Sequence, residues 1–403
     1  MFSSRTAWNR LPNRLTVALQ DLQARDLPVI DLTISNPTLC GFNYSETTIQ
    51  SAWIDSMTAP YVPSAFGELH ARNAVSSYYS NRGFTVSPKH IVLTPGTSNA
   101  YSYLFQMLTD PGDEVVTAAP GYPLLDFLVD LNDVRLVRYP LLYDGIWRLD
   151  IDALKRVLTE RSRVLVIVSP NNPTGSFLKT DELEKVVDLC RRRNLALVVD
   201  EVFYDFSWSS DSSRAPSSVA VTDCLTFTLN GLSKTAALPQ VKLGWIVANG
   251  PQALLSESLS RLEVIADTYL SVGAPVQRAA PFLIEQGDTT RPEILNRIHT
   301  NGELLDSFLT EDCPCSRLRT EGGWYGVLRI PSVLDDESYA LHLLENYGVF
   351  IHPGRFYDFP SGDYLILSMI TPTEVFSAGL EKLRADQLFR TSSQRFRPAR
   401  QKA

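Results

Sequence analysis

Between His90 and Ala248 short apolar runs alternate with stretches of helical periodicity, and few folds accommodate that rhythm. The runs are HIVLT (90–94), EVVTAA (114–119), VRLVRY (134–139), VLVIVS (164–169), LALVVD (195–200), CLTFTL (224–229) and KLGWIVA (242–248). Several are almost continuous in Val, Ile and Leu, the pattern of strands covered on both faces. Ser98–Leu108, Ile151–Glu160 and Thr180–Asn194 read as helices between them. The last opens on Asp181 and Glu182 and closes on Arg191–Arg193, an order that suits the helix dipole. The expectation is an α/β chain with a large, mainly parallel seven-stranded sheet between helices. Ligands of such sheets bind beyond the carboxyl ends of the strands, so the loops there are where chemistry belongs.

After about residue 285 the texture changes. Helical stretches (Arg291–Leu309, Asp336–Tyr347) alternate with isolated strands, GVLRIP (326–331) and YLILSMI (364–370), as in a smaller α+β domain. The N-terminal NRLTVALQDLQARD and VIDLTISNPT are expected to join it, with a long helix near 250–285 bridging the two lobes. The expected organisation is an arm and part of the small domain (1–48), a large domain (49–285), a small C-terminal domain (286–390) and a disordered basic tail (391–403). A chain of 403 residues has room for two such domains.

The net charge of −8 argues against a broad nucleic-acid-binding face, though not against a small cationic pocket. Five scattered cysteines (Cys40, Cys190, Cys224, Cys313, Cys315) suit a reducing compartment rather than a disulfide framework. MFSSRTAWNR lacks the apolar core of a signal peptide, and no run approaches a membrane span, so a cytoplasmic location is expected. Neither the Cys313-Pro-Cys315 pair nor the five histidines show metal-ligand spacing, and no metal is expected. Phosphate-loop, dinucleotide and GxSxG hydrolase signatures do not occur.

Four loops end strands with unusual polar content. Thr94-Pro95-Gly96-Thr97-Ser98-Asn99 leads into a helix, where free N–H groups can meet an anion or where Ser and Thr simply cap. Ser169-Pro170-Asn171-Asn172-Pro173-Thr174-Gly175 is a rigid turn that leaves two amide side chains at a strand end. Asp200-Glu201 ends LALVV, and a carboxylate there is costly unless something cationic faces it. Gly231-Leu232-Ser233-Lys234-Thr235, followed by Lys242-Leu243-Gly244-Trp245, places a lysine where desolvation favours its neutral, nucleophilic form.

SPNNPTG, DEVFYDF and GLSKTAALPQVKLGW, in that order and at intervals of roughly thirty residues, resemble the class I/II pyridoxal-phosphate-dependent aminotransferases of fold type I, from about Leu32 to Leu383. The resemblance implies Lys234 as the Schiff-base lysine and proton shuttle, and Asp200 as partner of the pyridine nitrogen. It implies Asn172 at the ring hydroxyl, Tyr122 stacked on the ring, and Thr97, Ser98, Ser233 and Lys242 around the phosphate. Tyr61 matches the tyrosine lent to a neighbouring subunit, so a homodimer is implied. Asn36, Arg355 and Ile366 fall on the substrate side. Such an enzyme passes an amino group from a small-molecule donor to an oxo acceptor. A carbon–sulfur β-lyase, a decarboxylase or a synthase shares the same loops, and a non-catalytic binding protein is the alternative of another class.

Three departures from the family pattern bear on function. Phe203 stands where relatives often carry a tyrosine that bonds the ring hydroxyl, with Tyr204 next along but pointing the other way on an extended chain. Lys242 replaces an arginine, losing the planar fork, and Gly231 replaces a frequent serine. In YLILSMI, Ile366 occupies the position of the arginine that grips a substrate α-carboxylate. Arg355, in HPGRFYDF, is the candidate replacement; the alternative is a substrate with no carboxylate to hold.

Overall fold

The computed structural model describes residues 1–44, 50, 53–54, 57, 62–309, 313–332, 334–387 and 389. The strands are β1 (Ile30–Asp31), β2 (Ile91–Thr94), β3 (Glu114–Ala119), β4 (Arg135–Tyr143), β5 (Trp147–Leu149), β6 (Ser162–Val168) and β7 (Ala196–Asp200). They continue with β8 (Thr226–Gly231), β9 (Gly244–Asn249), β10 (Ser316–Arg317), β11 (Tyr325–Arg329), β12 (Val349–Phe350), β13 (His352–Pro353) and β14 (Tyr364–Ser368). The longer helices are α1 (Arg14–Ala24), α2 (Leu69–Ser80), α3 (Thr97–Leu108), α4 (Leu124–Leu131), α5 (Ile151–Val157) and α6 (Thr180–Arg193). After them come the short α7 (Leu232–Thr235), then α8 (Gln252–Tyr269), α9 (Ala274–Phe308), α10 (Asp336–Tyr347) and α11 (Thr373–Leu383).

All seven anticipated strands lie in one sheet ordered β2-β9-β8-β7-β6-β3-β4-β5. An eighth, β5, had no sequence signal: it is three residues long and pairs antiparallel with the end of β4. Within the sheet β9 runs antiparallel to β2 and β8, while β8, β7, β6, β3 and β4 are mutually parallel. The central strands are buried along nearly their whole length, and α3 and α8 pack on one face with Phe105, Leu104, Leu255 and Leu262 in the core. That burial on both faces is the cause of the continuous Val/Ile runs.

A second sheet, β10-β11-β14-β13, is antiparallel, and β1 pairs in parallel with β12. The bridging helix is displaced from its expected place. The span near 250–285 divides into α8 and α9, and α9 runs for 35 residues through Pro281 and Pro292. Its first half contributes Ala279, Ala280 and Leu283 to the core against the large sheet, and its second half contributes Ile294, Ile298 and Leu305 to the core of the smaller one. Gly287 marks the crossing: a Cβ there would lie 2.5 Å from the Thr235 carbonyl, so only glycine lets α9 pass this close to the Lys234 turn. Among the described residues no helix is long and apolar enough to cross a membrane. The tail 391–403 lies outside the described residues.

Candidate active site

The sheet order places the polar loops side by side. Across one edge come the start of α3 after β2, Lys242 before β9, Ser233 and Lys234 after β8, Asp200 ending β7, and Asn172 after β6. Tyr122 follows β3 next in line. Because β9 is reversed, its beginning meets the carboxyl ends of its neighbours, which is how Lys242 joins the row.

Backbones approach closely at one end of the row. Gly244 faces Thr94 on one side and Gly231 on the other. A Cβ on Gly231 would stand 2.9 Å from both the Gly244 Cα and the Leu243 carbonyl, and one on Gly244 would stand 3.0 Å from the Gly96 Cα. This explains glycine at 231: there is no room for a side chain. The contact brings the N-terminus of α3, with partly exposed Thr97 and Ser98, against the turn holding Ser233. The unpaired N–H groups of a helix start, beside hydroxyls, form a site for an anion. Lys242 is exposed, has φ of 62° and has no ion pair or hydrogen bond among the described residues.

At the centre Asp200 is buried at the end of β7. Tyr101 on α3 donates its hydroxyl to Oδ2 at 2.9 Å, and the Val202 N–H donates to Oδ1 at 3.1 Å. Burial lifts the Asp200 pKa from 3.8 to about 6, against these bonds and the attraction of Lys234. No cation pairs with it at ion-pair distance among the described residues. Lys234 retains some contact with solvent, yet burial of its amine lowers the pKa from 10.5 to about 8. Its Nζ lies 4.7 Å from the centre of the Trp324 ring and 5.4 Å from that of Phe203.

Asn171 and Asn172 divide the labour of their turn. Asn171 accepts from the Thr174 hydroxyl at 2.9 Å, and its carbonyl takes the Gly175 N–H at 2.8 Å. Gly175 itself has φ of 70° and sits where a Cβ would meet the Gly322 carbonyl at 2.3 Å. Asn172, by contrast, keeps a buried Oδ1 with no hydrogen-bond partner. A buried amide left unsatisfied is unusual in a folded protein and marks a place for a ligand atom.

These observations answer whether a pyridoxal phosphate would fit. A buried carboxylate lacking a cation suits a protonated ring nitrogen, an amine with depressed pKa suits an aldehyde, and the glycine-lined helix start suits the phosphate. The residues present fit the group.

Other expectations fare differently. Tyr61 lies outside the described residues. Asn36 is exposed and its Oδ1 accepts from the Thr38 N–H and hydroxyl, capping its own short turn. Arg355 is more than half exposed and its guanidinium pairs with Glu337 on α10. Ile366 is buried on β14 between Val327 and His352. Tyr204 does not stand in for a tyrosine at 203. It turns toward Arg214, whose guanidinium lies 4.0 Å from its ring centre, while Phe203 packs edge-on against Trp324. Sequence reasoning did not single out Tyr101, Trp324 or Tyr325, because aromatic residues on helices and strands read as core, nor Tyr357 and His352, which flank Arg355 in HPGRFYDF.

Compared with known proteins, residues 30–375 match the family model for aminotransferase class I and II. The glutamate-pyruvate aminotransferase AlaA of Escherichia coli (strain K12) is 28% identical over 365 residues, covering 88% of this chain and 89% of that protein. The alanine aminotransferase of Mycobacterium tuberculosis (strain H37Rv) is 28% identical over 370 residues, covering 90% and 86%. Among solved structures, an alanine aminotransferase from Pyrococcus furiosus superposes with a TM-score of 0.87 at 22% identity, over 96% of this chain and 99% of that one.

Proposed function

The chain belongs to the class I and II aminotransferase family, and we propose that it moves an amino group between a small-molecule amino donor and an oxo acceptor with pyridoxal phosphate held at the Lys234 turn. The observation that carries this reading is the amine of Lys234 and the carboxylate of Asp200 at the ends of adjacent strands, both strongly perturbed by burial and each within the other's electrostatic reach. Perturbed titration in a cleft is what acid–base work requires. When bound, the cofactor would supply an aldehyde and an electron-accepting ring.

The chain's own residues do the rest. With its pKa near 8, Lys234 can take a proton at Nζ and return it close to neutral pH. Asp200 would keep the ring nitrogen protonated, and Tyr101 and Val202 hold that carboxylate in place. Asn172 would meet the ring oxygen and Tyr122 the ring face. Thr97, Ser98, Ser233 and Lys242 would hold the phosphate. The reading includes a homodimer in which Tyr61 reaches the neighbouring site, and a cytoplasmic setting, which suits five scattered cysteines.

The test is to reconstitute the protein with pyridoxal phosphate and supply paired amino donors and oxo acceptors. Stoichiometric appearance of a new amine and a new carbonyl compound, lost in Lys234→Ala, is expected. Release of ammonia or carbon dioxide without transfer would assign a lyase or decarboxylase instead.

A further inference from the structure

One face of the four-stranded sheet packs against the large sheet, with Val327 and Ile366 in a buried apolar cluster shared with Leu141, Ile167 and Leu178. Cross-strand partners share a face, so Ile366 projects with Val327 and His352, and the two-residue period adds Tyr325 and Ser368. The Tyr325 ring lies 6.5 Å from that of Phe203, beneath Lys234, and 6.2 Å from that of Tyr357. The Tyr357 hydroxyl is 3.2 Å from His352 Nδ1. Tyr122 completes the wall, within electrostatic reach of both Tyr325 and Asp200.

Arg329, on the same face at the far end of β11, pairs with Asp363, and none of the groups around Tyr325 is charged near neutral pH. Burial raises Tyr122 to about 12 and pushes Tyr325 and Tyr357 up as well, so all three phenols keep their protons. Burial also lowers His352, against a weaker pull from Asp31, and leaves the imidazole neutral. The cations nearby are committed elsewhere: Arg355 to Glu337, and Arg138 to Asp126 and Asp358.

We propose that the amino substrate of this chain carries an uncharged hydrogen-bonding group, a hydroxyl or an amide, beside its amino-bearing carbon, and that Tyr357 and His352 recognise it over the apolar floor of Ile366. This rests on the aminotransferase reading and narrows its substrate class. A carboxylate pressed against a buried isoleucine with no guanidinium carries a heavy desolvation cost. Phenol and imidazole can each donate and accept, which suits an alcohol or amide. A site built from neutral polar groups discriminates strongly against analogues that cannot complete its bonds. The reaction balances as an ordinary transfer. The amine carbon gives up hydrogen and nitrogen and takes oxygen from water to become a carbonyl, while the acceptor carbonyl releases its oxygen as water and gains hydrogen and nitrogen to become an amine.

The experiment uses the holoenzyme and four probes: alanine, alaninamide, 2-amino-1-propanol and isopropylamine. Carbonyl product and the change in the visible cofactor band are followed together. Alaninamide and 2-amino-1-propanol are expected to exceed alanine in kcat/KM by about tenfold or more. Tyr357→Phe should lower the ratio of kcat/KM for 2-amino-1-propanol to that for isopropylamine about tenfold. His352→Arg, which sets a guanidinium beside Ile366, should move the preference about tenfold toward alanine. Alanine preferred tenfold by the wild type, or ratios unmoved in both variants, overturns the proposal. A protein that shows no cofactor band overturns the aminotransferase reading itself and this inference with it.

Discussion

Replacing Asp200 by asparagine separates what the carboxylate does for folding from what it does for chemistry. Burial raises its pKa from 3.8 to about 6, so ionisation in the folded protein is unfavourable relative to the unfolded chain. That rise corresponds to about 3 kcal/mol of stability lost above pH ~6, at 1.36 kcal/mol per unit. The sign follows from proton counting: the folded state binds more protons between about pH 4 and 6, so stability falls as pH rises through that window. An amide in the same place has no such cost. It still accepts the Val202 N–H, and the Tyr101 hydroxyl can turn to accept from the new Nδ2. The lost attraction to the Lys234 ammonium subtracts from the gain. Cofactor-free Asp200→Asn should therefore be more stable than wild type by about 1–3 kcal/mol at about pH 8, and by about half that at pH ~5. Urea denaturation at both pH values reads this directly. With pyridoxal phosphate added the order should reverse, because a ligand stabilises the form that binds it more tightly. A variant no more stable than wild type at the higher pH, or a gap independent of pH, refutes the reasoning.

Gly231→Ser and Gly231→Ala should both cost about 1–3 kcal/mol in thermal or urea unfolding, since either Cβ meets the Gly244 backbone, and both should weaken retention of the cofactor on dialysis. Lys179 is almost wholly buried, with Nζ 2.7 Å from Asp211 and 2.6 Å from Glu321. Lys179→Met should cost about 3–5 kcal/mol by stranding the Glu321 carboxylate, and adding Glu321→Gln should recover part of it in the same urea assay. Tyr101→Phe removes a bond that favours the Asp200 carboxylate, so the acid limb of the pH–rate profile should move upward by about one unit.

The main sheet was readable because burial on both faces forces β6, β7 and β8 into apolar runs that nothing else explains. Where strands are very short, the signal vanishes: β1, β12 and β13 are two residues each and carry no period. The bridging helix was misplaced because the expected span 250–285 joins two helices, whereas α9 continues through Pro281 and Pro292 with its two halves packed on the cores of the two sheets. At the site the legible residues were those whose polarity is out of place at a strand end: Asp200, Asn172 and Lys234. Tyr101 was not, since position 101 of an amphipathic helix carries an aromatic ring as readily for packing as for its hydroxyl. Arg355 is the converse case. Its place in a loop near the expected site suggested a ligand, but α10 presents Glu337 to it, a partner that only the tertiary structure supplies.

The central claim is covalent: the amine of Lys234 is where pyridoxal phosphate attaches. Borohydride reduction of the reconstituted protein, followed by peptide mapping by mass spectrometry, tests it most directly. The account predicts one phosphopyridoxyl adduct per chain, on the peptide containing Lys234, and none in Lys234→Ala. An adduct confined to other lysines, or wild-type labelling that survives loss of Lys234, would contradict it.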